Sequence, residues 1–300
     1  MIMKTRKRNG GIMNDDESGK KRSQLAETWR RLVKNHMAVV GLLVLLVLVL
    51  LAIFADVIAP YDYALQDYTA IHQTPSAAHL FGTDNMGRDI LSRVIYGART
   101  SLVVGFVSLT FGGLAGCLLG AIAGYFGGSV ETTIMGFCDI LMAIPSTVLA
   151  IAIASTLGPG VVNAMIAVGI SSIPSFCRIV RSSTMTVKGQ EYVEAAHAIG
   201  SSNLHIIRRH IFPNVFAPII VQATLNIGKA IIMCAALSFL GLGIQPPQAE
   251  WGNMLSSARQ FVRDYPHEVI FPGLAIMVTV LACNMFGDGL RDALDPKLKT

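Results

Sequence analysis

Charge is scarce in this 300-residue sequence. Only 14% of residues are Asp, Glu, Lys or Arg, 52% are hydrophobic, and the mean hydropathy is +0.54. A soluble domain carries about a quarter charged residues, so too few polar side chains are present to cover a water-facing surface. That argues against a soluble globular enzyme, and the apolar content argues against a disordered chain. Cysteine is sparse too: Cys117, Cys138, Cys177, Cys234 and Cys283 lie in apolar stretches, with no C-x-x-C pair and no His at metal-ligand spacing. They read as small buried hydrophobes. Also lacking are G-x-S-x-G, H-E-x-x-H and the G-x-x-x-x-G-K-[ST] phosphate loop. Gly228-Lys229-Ala230 has neither the upstream glycine nor the hydroxyl. No catalytic residue, metal or cofactor is assigned, and any use of ATP falls to another chain.

What the sequence does have is long apolar windows. Residues 35–55, 100–130, 140–177 and 269–287 contain no Asp, Glu, Lys or Arg, and 210–249 contains only Lys229. A membrane-spanning helix needs about 20 such residues, because the hydrocarbon core is about 30 Å thick and each residue rises about 1.5 Å. The window 140–177 would stretch roughly 57 Å as a single helix. It therefore folds back, and Gly158-Pro159-Gly160 is the turn. The expectation is an all-α polytopic membrane protein with six helices, near 38–58, 101–125, 131–157, 160–180, 214–242 and 269–289.

Orientation follows from the placement of Lys and Arg. Ten lie in 1–37, five in the 178–213 connection (Arg178, Arg181, Lys188, Arg208, Arg209) and three in the C-tail. The opposite side holds five: Arg88, Arg93, Arg99, Arg259 and Arg263. Both termini and the 178–213 connection are thus expected in the cytoplasm. The N-terminus reads as a signal anchor rather than a cleaved signal, with residues 1–24 disordered. Its basic clusters fit the positive-inside rule better than a nucleic-acid site.

The 178–213 connection is unusually well specified. It predicts a helix near 189–198 that stops at Gly200, suited to a left-handed cap. Ser201 or Ser202 caps a second helix, whose apolar stripe is Leu204, Ile207 and Ile211. Pro213 closes that helix and opens the next crossing. Ala195 and Ala196 remove side-chain bulk, so the first helix can press into a groove on another protein. The alternative is an amphipathic loop lying on the inner leaflet.

Glu194-Ala195-Ala196 with Gly200 and Pro213 resembles the EAA loop of ABC importer permeases. Three further segments resemble signatures of one subfamily: Leu80 to Asp89 (LFGTDNMGRD) with Ser92-Arg93 and Gly97 to Leu102; Ser238 to Gly243 with Gln245-Pro246-Pro247 and Glu250-Trp251-Gly252; and Gly287 to Lys297. Together they resemble the C-type permease of dipeptide, oligopeptide and nickel importers, from about residue 30 onward. His210 and Phe212 depart from the Ile and Leu of the general importer pattern. The resemblance implies a type I ABC importer permease fold in the bacterial inner membrane. It further implies a B-type permease partner, two cytosolic ATP-binding subunits and an extracytoplasmic solute-binding protein. Glu191, Glu194, Ala195, Ala196, Gly200 and Pro213 would couple to the ATPase. Peptides would be the cargo, with nickel chelates, glutathione or opine-like solutes as alternatives. A stand-alone secondary transporter or channel would show internal repeats, and none is evident; an intramembrane enzyme lacks a nucleophile.

The expected organisation is a basic tail (1–37), a first helix with the outer loop (38–100), a five-helix core (101–289) containing the coupling loop 181–213, and a C-tail (290–300). Lys229 and Asp139 are candidates for the translocation pathway, because intramembrane charge is costly. Lys229 would meet a substrate carboxylate or pack against the partner. Asp139 would pair with Lys229 or, better, with backbone groups freed near Pro145. Asp84, Gly87, Arg88, Asp89, Arg93 and Arg99 are expected to be structural. Gly112, Gly113, Gly116 and Gly120 recur at near-four spacing and predict a close-packing face. Pro145, Pro174, Pro218 and Pro272 are expected to kink or hinge their helices.

Overall fold

The computed structural model describes residues 24–294. The extreme N-terminal tail and the Asp295-Pro296-Lys297 end of the last signature lie outside them. Among the described residues the chain is helical, with one isolated bridge between Thr83 and Asp89. Helix α1 (Gln24–Lys34) precedes the first apolar window and is not foreseen by it. Asn35 separates α1 from α2 (His36–Ile53) and caps α2, its side chain accepting from the Ala38 amide at 3.2 Å. A short α3 (Ala55–Ile58) follows.

Helix α4 (Ile90–Phe126) is much longer than the expected 101–125, since Ile90 to Thr100 are helical and continuous with the second crossing. The third crossing is not one helix. It is α5 (Gly128–Met142) and α6 (Ser146–Leu157), bent by 87°. Pro145 supplies no amide donor, and its ring disfavours helical geometry at Ile144. The fourth crossing, α7 (Val161–Lys188), runs through Pro174. With the bent pair as one span, six crossings fit; five single helices are long and apolar enough alone.

After α7 come α8 (Glu191–Ala198) and α9 (Asn203–Ile206). Pro213 does not close α9. A π turn over Ile207–Ile211 joins α9 directly to α10 (Phe212–Phe239), and the Phe212 amide donates to the Ile207 carbonyl five residues back. The wider turn accommodates the proline without a stop. It also changes the register of the stripe: Ile206 and Ile211, five apart, are fully buried, whereas Leu204 is 68% exposed. Helix α11 (Trp251–Ala258) and the last crossing, α12 (His267–Leu294), complete the chain.

Helix α4 packs along α7 at the centre of the bundle, with α10 against both, and α2 leans on α12. The glycine face of α4 is used within the chain. A Cβ on Gly112, Gly116, Gly120 or Gly124 would lie 2.1, 2.5, 2.4 or 2.7 Å from the carbonyl oxygen of Gly169, Ile173, Cys177 or Arg181. Gly113 is the exception: its nearest neighbour, the Phe176 ring, is at an ordinary 3.5 Å. Without a hydrophobic effect between lipid-solvated helices, this close backbone approach supplies the attraction. Leu43, Leu46, Val47 and Leu50 of α2 stay exposed, as a lipid-facing helix requires.

Candidate functional site

At one end of the bundle the outer-loop signature forms a scaffold. Asp84 accepts from the Met86 and Arg88 amides at 2.8 and 3.0 Å and from Arg88 Nε at 2.7 Å. Gly87 has φ +70, and a Cβ there would lie 1.8 Å from the Asp67 carbonyl oxygen. Asp89 caps α4, accepting from the Ser92 amide and hydroxyl at 2.7 Å each, and contacts His79 Nδ1 at 3.0 Å. Buried Arg93 donates to the carbonyls of Tyr63 and Pro247 at 2.9 and 3.3 Å, tying the two outer loops together. Arg99 donates to the Ala52 carbonyl at 2.8 Å and pairs with Asp56 at 2.9 Å, which holds the Asp56 carboxyl below its usual range. These bonds run within the chain, while buried Arg93 Nε makes no hydrogen bond and lies 3.6 Å from Asp84 Oδ2.

The second signature has the same character. Helix α10 ends in a Schellman motif: Gly241 has φ +79 and donates to the Ser238 carbonyl, and the Leu242 amide donates to Leu237, both at 2.9 Å. Glu250 caps α11, accepting from the Gly252 and Asn253 amides at 2.9 and 2.7 Å. Burial pushes its carboxyl upward, against these hydrogen bonds. Trp251 is fully buried, with Nε1 donating to the Val94 carbonyl at 3.0 Å.

Inside the bundle, one face is polar. Ser146, Ser171, Ser172, Ser175, Asn226 and Lys229 contribute to a cleft of about 140 Å³ between α6, α7 and α10. The Lys229 ammonium has no hydrogen-bond or ion-pair partner among the described residues. Asp139 does not meet it, nor does it bond freed backbone: its carboxylate accepts from Arg178 Nη2 at 2.8 Å, and both side chains are half-exposed. Deeper toward the α8 end, Glu131 pairs with Arg181, accepting from Nε at 2.7 Å and also from Nη2. Ser171, Ser175, Arg178 and Ser182 are spaced by three or four, so they share one face of α7.

At the α8 end, Gly200 has φ +79 and stops α8 with a second Schellman motif. Its amide donates to His197 O at 2.9 Å, and the Ser201 amide donates to Ala196 O at 3.1 Å. Val193 and Ala196 turn inward against Tyr125, Ile206, Ile211 and Val215. Glu191, Glu194, Ala195 and Gly200 face outward and are exposed, beside Ile199 (82% exposed) and Leu204. An adjacent hollow of about 440 Å³ is lined by Ser202, Leu204, His205, Arg208 and Arg209. Pro213 lies in the first turn of α10 and is exposed.

Sequence reasoning missed the anchor of this segment. Tyr125, buried near the end of α4, donates through its hydroxyl to Asn203 Oδ1 at 2.8 Å and lies 3.2 Å from His197 Nε2. Lys188 Nζ donates to the Tyr125 carbonyl at 2.7 Å, and the ammonium sits 5.7 Å from the ring centroid. These partners are 63 to 78 residues apart in sequence. The one local signal is that Tyr125 is polar-tipped and stands at the edge of an apolar window, next to the Gly127-Gly128 break.

A family model described as the binding-protein-dependent transport system inner membrane component matches residues 116–300. A second, the N-terminal TM domain of oligopeptide transport permease C, matches residues 23–75. The chain is 50% identical over 274 residues to the dipeptide transport system permease protein DppC of Alkalihalophilus pseudofirmus, covering 91% of this chain and 90% of that one. It is 46% identical over 280 residues to the glutathione transport system permease protein GsiD of Pectobacterium atrosepticum, covering 93% of each. Among solved structures, an inward-facing MetNI methionine ABC transporter matches with a TM-score of 0.57 at 17% identity, covering 69% of this chain and 98% of that one. This last likeness concerns the fold alone.

Proposed function

The chain belongs to the family of binding-protein-dependent transport system inner membrane components, and from that membership we propose that it forms one half of an inward pathway for peptides. It is a multi-pass permease subunit of a bacterial ABC importer in the inner membrane. Such a subunit works with a second permease, ATP-binding subunits and a solute-binding protein, and ATP hydrolysis resides on the separate subunits. Within that frame the partner permease is a related, nonidentical B-type subunit, and two ATPase subunits sit in the cytosol. Both termini and α8 lie on that side, in keeping with the excess of Lys and Arg there.

The observation that carries the coupling reading is the form of α8. It is short, closed by a glycine stop, bare of bulk on its outer face at Ala195, and held to the end of α4 by Tyr125, whose hydroxyl lies against His197 of α8 and donates to Asn203 at the start of α9. Closure of the ATPase pair would push α8, Tyr125 would pass the thrust to α4, and the glycine face would carry α7 along with it. A two-state rigid-body motion of this kind needs stiff links at both ends. Glu191, Glu194, Ala195, Ala196 and Gly200 form or position the docking element, and Pro213 sits where α9 runs into the crossing. Lys229 and the Asp139–Arg178 pair line the pathway.

Peptide cargo is favoured by the dipeptide permease relative, and glutathione, itself a small peptide, by the second. Ligand binding to the cognate solute-binding protein distinguishes them. The coupling role is tested with Gly200→Val. No atom lies within 4 Å of the added Cβ, so the cost is backbone strain at positive φ, about 1–2 kcal/mol for an ordinary residue and more for a β-branched one. Insertion and assembly should survive, while uptake falls and ATP hydrolysis becomes independent of the loaded binding protein. Wild-type uptake in that variant would end the coupling reading.

A further inference from the structure

Lys229 stands ten residues before the end of α10 at Phe239, about 15 Å along the axis, which is half of the roughly 30 Å hydrocarbon core. The acids nearest this polar face are engaged, Asp139 by Arg178 and Glu131 by Arg181. The ammonium is therefore the uncompensated charge at the centre of the face, and no acidic residue lines its cleft. The lining is rich in donors. The Ser146 and Ser175 hydroxyls have no hydrogen-bond partner among the described residues, and Asn226 has one amide hydrogen on the Gln222 carbonyl at 2.8 Å, leaving the other. An ammonium with two free hydroxyls and an amide N–H is a receptor for an oxyanion. The cleft, about 140 Å³, has room for a carboxylate and ordered water.

We propose that Lys229, with Ser146, Ser175 and Asn226, forms a transient subsite for the C-terminal carboxylate of the peptide as it crosses the midplane. This rests on the peptide-importer reading and deepens it. The rest of the peptide lies in the open face that the partner permease closes. The subsite provides a counter-ion where an isolated carboxylate would otherwise meet low dielectric.

The test uses the full complex, with its binding protein, in proteoliposomes. Uptake of Ala-Phe and of its C-terminal amide is measured with both at concentrations that saturate the binding protein. Lys229→Gln should lower Ala-Phe uptake about tenfold or more and leave the amide unchanged, and Lys229→Arg should restore most of the loss. Equal loss for both peptides, or no loss for either, overturns the proposal. Should Lys229→Gln fail to assemble, Lys229→Cys is assembled and then converted to a mixed disulfide with a cationic or a neutral methanethiosulfonate, methanesulfinate leaving; the native cysteines are buried. Recovery of Ala-Phe uptake with the cationic reagent alone supports the subsite, and recovery with both or neither overturns it. If the wild-type complex shows no ATP-driven peptide uptake, it is the peptide-importer reading itself that fails.

Discussion

Replacing Gly120 by alanine should force α4 away from α7. The new methyl carbon would lie 2.4 Å from the Cys177 carbonyl oxygen and 3.0 Å from both the Arg181 amide and Val180 Cβ. The two closest are backbone atoms, which cannot rotate aside. Gly112, Gly116 and Gly124 hold the same ridge at similar distances on either side, so a local bulge is not available and the helices must separate together. Overpacking of this kind costs about 1–3 kcal/mol, while alanine in place of glycine gains up to about 1 kcal/mol of helix propensity. A control removes the second effect. Gly273 in α12 has no atom within 4 Å of where a methyl carbon would stand, so Gly273→Ala receives the propensity gain alone. The difference between the variants isolates the clash, at about 1–3 kcal/mol. Thermal melting of the purified complex should place Gly120→Ala below wild type or near it and Gly273→Ala slightly above. Equal melting temperatures for the two variants would refute the packing account, and preserved uptake in Gly120→Ala would separate α4–α7 rigidity from transport.

Tyr125→Phe keeps the ring beside Lys188 but removes the hydroxyl's contacts to His197 and Asn203, each worth about 1 kcal/mol. The complex should assemble, with fewer peptides moved per ATP hydrolysed; an unchanged ratio would show that α8 does not act through this residue. Arg178→Ala strands the Asp139 carboxylate and should reduce uptake, whereas the exchange Asp139→Arg with Arg178→Asp should restore part of it; failure of the exchange variant to exceed either single variant would argue against a pairing role.

The local elements were largely legible because their causes are local. Glycine at 200 was readable as a left-handed stop, since only a residue without Cβ enters that region cheaply. The four-spaced glycines of α4 were readable as a packing face, although nothing in their spacing says that α7 rather than a second subunit occupies it. Leu204 was misplaced because the stripe presumed an unbroken α-helix, and the π turn before Pro213 moved the buried positions to Ile206 and Ile211. Asp139 was misassigned because depth along a helix does not fix azimuth, and the 87° break at Pro145 turns α5 so that its carboxylate reaches Arg178.

By itself the sequence determined that this chain is polytopic and approximately where it crosses, and it set the expectation that the basic connections share one side. Those properties follow from transfer free energy and charge summed along contiguous residues, which need no fold. Only the tertiary structure decided which charges meet, that Lys229 is left without a partner among the described residues, and that Tyr125 fastens α8 to α4. These depend on contacts between residues up to 78 positions apart, whose geometry is set by helix packing and by the direction of each break rather than by any local pattern.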